Sequence, residues 1–209
     1  MQSYKTIGVR ASDEFVEKKS RFIGHICPVT TQQEALDFIQ SLKTKYWDAT
    51  HNVYAYVLRE GQIRRYSDDG EPQGTAGIPT LDVLLKEELT DCCVVVTRYF
   101  GGTLLGAGGL VRAYSHACKL AVDAGGVVTM ALCTTLEAQV DYTFYGRLPS
   151  LIAEAGGTAI DTQYADLVTV RFTLPSVDVD AFDAKLFDQS FGKYRCRRLG
   201  EQFAPIEHK

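Results

Sequence analysis

The stretch from Cys92 to Ala121 constrains the fold more than any other part of the chain. It runs from an apolar β-branched segment, through five glycines at 101, 102, 106, 108 and 109, into a narrow apolar stripe at helical spacing. Cys92 to Tyr99, centred on Val94-Val95-Val96, has no polar alternation and predicts a fully buried strand. Leu110, Ala113, Tyr114, Ala117, Cys118 and Ala121 recur at steps of three and four. That spacing predicts a helix whose mostly small residues let it pack closely on a sheet. A strand, a glycine loop and a helix start in succession put free backbone N–H groups and the positive helix end where an anion can sit, with Arg98 and Arg112 adding charge. The same glycines also let helix and strand approach closely, so anion site and packing device both remain open. The loop matches neither the dinucleotide fingerprint nor the Walker loop, because its glycine spacing differs and no Lys-Ser or Lys-Thr follows.

Upstream, Tyr4 to Val9 and Glu14 to Pro28 read as extended, and residues 30 to 46 as a helix. Thr30 or Thr31 caps that helix, with Ala35, Phe38, Ile39, Leu42 and Tyr46 on its buried face. Asn52 to Leu58 and Gln62 to Tyr66 flank the turn pair Glu60-Gly61 as a hairpin, Ser67 to Gly77 is loop, and Pro79 to Leu89 regains helical spacing. Gly125-Gly126 stops the glycine-loop helix and marks the expected domain boundary.

The remainder reads as a unit of its own. Leu132 to Tyr142 is a strand with Leu136, Ala138 and Val140 inward, and Tyr145 to Ala155 a helix whose start Pro149 blurs. Thr158 to Tyr164 and Leu167 to Leu174 form a hairpin, Ser176 caps a helix to Ser190, and a last strand runs from Tyr194 to about Phe203. This β-α-β-β-α-β order is that of a ferredoxin-like split unit.

Composition narrows the function classes. The longest strictly apolar run worth noting, Cys92 to Val96, is far below the roughly 20 residues a membrane helix needs. The opening residues lack the basic, apolar, small-residue order of a secretory signal, so a cytoplasmic protein is expected. Six cysteines form no C-x-x-C pair and read as reduced core residues; with histidines scattered at 25, 51, 116 and 208, neither a metal nor a cofactor is expected. The net charge of -4 supplies no global attraction to nucleic acid, so any phosphate binding must be local.

Three further patterns bear on chemistry. Asp68, Asp69 and Glu71 place three carboxylates within four residues, as a hard-cation or acid–base site would, although Asp, Gly and Pro are equally what a tight loop needs. Arg112, His116 and Lys119, at steps of four and three, form a basic ridge on the helix that follows the glycine loop. Lys193, Arg195 and Arg197 alternate at the last strand, beside the strand carrying Glu137 and Asp141, which can neutralise them. The open face of that sheet carries Glu137, Gln139, Thr169, Arg171 and Thr173 with no aromatic, unlike an RNA-recognition motif.

Several segments together closely resemble the signature of the IMPACT family: Lys19-Ser20-Arg21-Phe22, His51-Asn52, Ser67 through Gly77, Thr97 through Gly102, and Leu105 through Tyr114. The second half looks like the small domain appended in bacterial members. The resemblance implies an α+β chain of two domains: residues 1–126, similar to the second domain of a small-subunit ribosomal protein and to the fourth domain of elongation factor G, and residues 127–209, ferredoxin-like. It also implies a cytoplasmic, translation-associated binding protein, regulatory rather than catalytic, that engages RNA or ribosomal particles or a translation-related protein partner, and not a membrane. The expected phosphate or nucleic-acid contacts are Arg98, Gly101, Gly102, Gly106, Gly108, Gly109, Arg112, His116 and Lys119, with Asp68, Asp69 and Glu71 as a secondary acidic site. The alternatives are a phosphoryl-transfer or nucleotide-binding enzyme using the acidic and glycine loops, and a protein–protein adaptor using the same loops. The enzyme reading lacks a phosphate-cradling lysine.

Overall fold

A computed structural model describes residues 3–206; residues 1–2 and 207–209, the outermost ends of the two expected domains and including His208, lie outside the described residues. The chain is α+β and divides into two compact units, one from Tyr4 to Val128 and the other from Thr129 onward together with Ser3.

The first unit holds β1 (Ser3–Ile7), β2 (Ala11–Glu17), β3 (Ser20–Pro28), α1 (Gln32–Lys45), β4 (His51–Leu58), β5 (Ile63–Ser67), α2 (Gly77–Lys86), β6 (Cys92–Tyr99) and α3 (Ala107–Gly125). Its five-stranded antiparallel sheet has the order β2-β3-β6-β4-β5. The central strand β6 is buried on both faces. Cys92, Val94 and Val96 pack with Leu84 of α2 and with Leu110, Ala117 and Ala121 of α3. Cys93 and Val95 pack with Phe38, Ile39 and Leu42 of α1. Two apolar faces on one strand leave no place for polar alternation, which is why the sequence shows none. All six stripe residues of α3 are buried, and the helix lies so near β3 that a Cβ at Gly24 would sit 2.2 Å from the Ala117 carbonyl oxygen.

The helix starts are built differently. At α1 the Thr31 hydroxyl accepts from the Glu34 amide at 3.2 Å, and the Glu34 carboxylate accepts from the Thr31 amide at 3.3 Å, a reciprocal cap. The α2 start has no cap of its own. Instead Asp68, eight and nine residues upstream, accepts from the amides of Ala76 at 3.1 Å and Gly77 at 2.8 Å. The α3 start has no side-chain cap at all: its N-cap is Gly106, and no acidic residue stands in its first turn.

The second unit comprises β7 (Val127–Val140), α4 (Tyr142–Tyr145), α5 (Leu148–Glu154), β8 (Thr158–Tyr164), β9 (Val168–Pro175), α6 (Val179–Gln189) and β10 (Cys196–Ile206). Its strands lie in the order β10-β7-β9-β8 and are antiparallel. Leu136, Ala138 and Val140 of β7 and Val168, Val170, Phe172 and Leu174 of β9 form a core with Leu148, Ile152, Phe182 and Leu186 of the helices. Leu136 to Val140 pairs with β9 and β10.

Local boundaries depart from the sequence pattern in three places. The single helix expected over Tyr145 to Ala155 is two short ones: Asp141 caps α4, and Pro149, whose ring fits only a first turn, restarts the helix as α5. Ser176 does not cap α6; it lies in a 3-10 turn, with its hydroxyl 2.7 Å from that of Thr134. The last strand begins at Cys196, leaving Lys193 and Arg195 ahead of it, ion-paired with Asp141 and Asp183.

Candidate functional site

The functional candidates cluster in the first unit, where the loops after β2, β5 and β6 meet the start of α3. The hairpin turn between β2 and β3 places Lys18 and Lys19 at φ 45° and 67°. Behind it the hydroxyl oxygen of the fully buried Ser20 accepts from the Gly101 amide at 3.2 Å and from Arg98 Nη2 at 3.3 Å. A Cβ at Gly101 would lie 2.0 Å from the Lys19 carbonyl carbon, so that glycine is a packing requirement.

The other glycines divide cleanly. Gly102 and Gly106 take φ of 81° and 73°, where side chains are strained. A Cβ at Gly109 would press on the Leu105 side chain at 2.9 Å, whereas one at Gly108 would meet nothing within 4 Å, and Gly108 has no positive φ. Neither packing nor backbone conformation therefore accounts for Gly108. It lies in the first turn of α3, where Gly106 supplies no side-chain oxygen for the free amides.

Arg98 is not a free cation. Its Nη1 donates to Glu71 Oε1 at 2.6 Å, and the two side chains are 6% and 3% exposed. The guanidinium also lies over the rings of Phe22 and Phe100 at 5.3 and 5.4 Å. Tyr114 donates its hydroxyl to the same Glu71 oxygen at 2.7 Å; burial, and after it the Glu71 charge, push that phenol well above its ordinary range, so it stays a donor. His51 stands on the other side, its Nδ1 2.8 Å from the Asp69 carbonyl and its Nε2 3.8 Å from Glu71 Oε1. Arg98, Glu71 and His51 line a cleft of about 370 Å³ together with Phe100, Leu104, Leu105 and Gly106.

The remaining acidic residues have structural duties. Asp68 takes three backbone amides, from Gly74, Ala76 and Gly77. Asp69 holds Lys43 through one oxygen and the Asn52 amide through the other. Among the described residues no three His, Cys, Asp or Glu groups are placed to hold a metal ion.

On the basic ridge, Lys119 is bound to Glu87 at 2.8 Å and Asp123 at 2.9 Å. The bond to Glu87, then that to Asp123, hold its pKa above the usual lysine value. Arg112 and His116 are exposed and line a groove of about 280 Å³ with Phe15, Glu17, Lys18 and Gly109. His116 meets the Phe15 ring edge-on at 4.6 Å. Among the described residues Lys18, Lys19 and Arg112 have no ion-pair or hydrogen-bond partner. The second unit is different: Arg171 and Arg197 bond Glu137, and Lys185, Arg195 and Arg198 each hold a carboxylate.

Lys18, Lys19, His51 and the Glu71–Arg98 pairing carry no spacing signal of their own. Their one sequence trace is membership in or next to the short motifs Lys19-Ser20-Arg21-Phe22 and His51-Asn52: Ser20 bonds Arg98 and His51 lines the cleft with the glycine and acidic loops, while Lys18 lines the groove beside it.

The profile of the Impact N-terminal domain matches residues 18–122, and a domain of unknown function, DUF1949, matches residues 139–193. The chain is 41% identical over 194 residues to "IMPACT family member YvyE" of Bacillus subtilis, covering 92% of this chain and 89% of that protein. It is 40% identical to "Protein IMPACT homolog" of Dictyostelium discoideum over 113 residues, 51% of this chain and 31% of the relative. A solved structure titled "Crystal structure of an hypothetical protein" superposes with a TM-score of 0.61 at 32% identity, over 97% of this chain and 100% of the other.

Proposed function

Because the chain belongs to the IMPACT family, we propose that it is a translation-associated binding protein that engages RNA or a ribosomal particle through the start of α3 and the basic groove beside it. The observation that carries this reading is that Arg112 and Lys18, without ionic partners, line a groove beside a helix start that has neither a side-chain cap nor an acidic first turn. Unpaired cations beside free amides and a positive helix end are the ingredients of phosphate binding. Gly106, Gly108 and Gly109 leave the backbone approachable, His116 lies along the same groove, and Gly101 and Gly102 shape the loop. Arg98 and Lys119 contribute through position rather than as free charges, since carboxylates already hold both. Asp68 and Asp69 are committed to loop amides and Lys43, which disfavours a magnesium-dependent phosphoryl transfer.

The test is single-stranded RNA binding and ribosome co-sedimentation at several salt concentrations. A few phosphate contacts give a slope of log affinity against log salt of roughly -2 to -4, and Arg112→Ala lowers its magnitude by about 0.7 to 0.9 with melting unchanged. A second reading, a protein adaptor, is favoured by one observation: Leu104 is 82% exposed and Phe100 44% exposed on the same loop. If the Arg112 variant melts like the parent and binds RNA and ribosomes equally well, the adaptor reading replaces the phosphate reading.

A further inference from the structure

We propose that the RNA this chain engages is single-stranded and that its unpaired bases stack on Trp47 and Phe100, at the end of the first unit's sheet where β6 stops. This rests on the RNA reading above and adds to it a choice of strand over duplex, made by rings outside the Arg112 groove.

Trp47, the only tryptophan of the chain, is 82% exposed, and among the described residues its ring has no aromatic, cation or hydrogen-bond partner. A loose loop does not explain that exposure. Tyr99 donates its hydroxyl to Asp48 at 2.8 Å, the Thr50 amide donates to the Arg98 carbonyl at 2.9 Å, and the Phe100 amide donates to the Thr50 hydroxyl oxygen at 3.0 Å. On the other side of Trp47, Asn52 Nδ2 donates to the Tyr46 carbonyl at 3.3 Å. These bonds fasten the segment Tyr46 to Thr50 against the end of β6, so the indole stands in water on a held backbone. Two neighbouring rings are already covered: His25 lies 5.0 Å from Tyr46 with the Lys45 ammonium 5.0 Å over the same ring, and the Arg98 guanidinium covers Phe100 on one side at 5.4 Å. Trp47 and the 44% exposed Phe100 keep open ring surface, and large aromatic rings on a rigid frame are what interfaces bury.

Charge decides what covers them. The turn of Lys18 and Lys19 abuts Gly101, the residue after Phe100, and Lys45 stands two residues before Trp47. Among the described residues none of these three lysines has an ion pair. Glu14 and Glu71 are matched by Arg21 and Arg98, and Asp48 by the Tyr99 hydroxyl, which leaves the lysines in excess over Glu17. An apolar protein surface answers the rings and not the lysines. A duplex answers only the lysines, because its bases are stacked on one another. A single strand answers both, with flat base faces for the rings and phosphates for the cations.

The experiment uses a labelled RNA strand of alternating adenosine and cytidine, alone and annealed to its complement, on the parent, Trp47→Ala, Phe100→Ala and Arg112→Ala proteins, with melting curves for each. The single strand should bind the parent on the order of tenfold more tightly than the duplex and quench the fluorescence of Trp47. Trp47→Ala, at an exposed position, should melt like the parent and lose most of that preference, and Phe100→Ala should lose part of it. Arg112→Ala should weaken both forms and leave the quenching at saturation unchanged. Equal affinity for strand and duplex, or saturation of the parent without quenching, overturns the stacking site, and an Arg112 effect in that case leaves the phosphate reading standing. A strand preference that Trp47→Ala removes, with affinities that Arg112→Ala does not change, supports the stacking site and sinks the phosphate reading. If neither form binds, both readings fall and the adaptor reading takes this surface.

Discussion

Removing Glu71 should unfold the first unit well below its normal melting temperature, and the geometry sets the size of the effect. Glu71→Ala leaves the Arg98 guanidinium 6% exposed with only the Ser20 hydroxyl at 3.3 Å, and strips Tyr114 of its acceptor. Breaking a buried ion pair by removing one partner costs about 3–5 kcal/mol, and a stranded buried hydroxyl adds about 1 kcal/mol or more. Water entering from the adjacent cleft offsets part of this, so about 4 kcal/mol is a fair figure. For a unit of this size that corresponds to a fall of roughly 12 °C, against a total stability of about 5–15 kcal/mol. The double variant Glu71→Leu/Arg98→Met separates the cost of a stranded charge from the worth of the pair: replacing both charges with apolar groups should restore most of the loss. Differential scanning calorimetry on the three proteins reads both quantities. The reasoning is refuted if Glu71→Ala melts within about 3 °C of the parent, or if the double variant melts as low as the single.

The glycine loop gives a contrasting pair for the same calorimetry. Gly101→Ala should destabilise by about 1–3 kcal/mol because its Cβ would lie 2.0 Å from the Lys19 backbone, whereas Gly108→Ala, with nothing within 4 Å, should raise stability by up to about 1 kcal/mol. Asp141 is bonded first by Lys193, then by Tyr194 and the Phe144 amide, which hold its carboxyl well below the ordinary 3.8. A depressed folded-state pKa contributes stability that is complete above the unfolded value and lost as pH falls, so urea melts should show the advantage over Asp141→Asn at neutral pH shrinking below about pH 4. The six cysteines are free; burial pushes Cys92 up to about 12 and raises Cys93 and Cys118 well above normal. Thiol titration of fresh protein should find those three inert in the native state and all six reactive in denaturant without reductant.

Elements that announce themselves through local periodicity were legible in the sequence: the Leu110-to-Ala121 stripe of α3, the doubly buried β6, the alternation of Val168 to Leu174, and the Thr31 cap. Partnerships between elements were legible only in part: Glu137 and Asp141 do take Arg197 and Lys193, as the strand order implied. Nothing local says which of Asp68, Asp69 and Glu71 takes Arg98; the fold sets it beside Glu71, while Asp68 is drawn to the α2 amides. Lys119 reads as part of a free ridge although Asp123 stands four residues on in the same helix, and its other partner, Glu87, lies just past the end of another helix. The free cations at Lys18 and Lys19 have their position from a two-residue turn with positive φ, which two lysines do not advertise. Charge pairing across elements depends on which surfaces meet, and a short window of sequence carries only the pairs within one helix, such as Lys119 with Asp123.

The placement of β6 also dictates the order in which the first unit can be made. β2 with β3, and β4 with β5, are hairpins that close from neighbouring residues. The strand that joins them is the last of the five to leave the ribosome: Arg21 must find Tyr99, and Asn52 must find Thr97. Until Cys92 to Tyr99 arrives, the inner edges of both hairpins expose unpaired backbone and apolar side chains, and α3 has no sheet to lie on. Loop-closure entropy over such separations makes the final insertion slow compared with either hairpin. A nascent chain of this protein therefore spends its longest unprotected interval between the emergence of β4 and the insertion of β6, when its sheet is two halves with the middle missing.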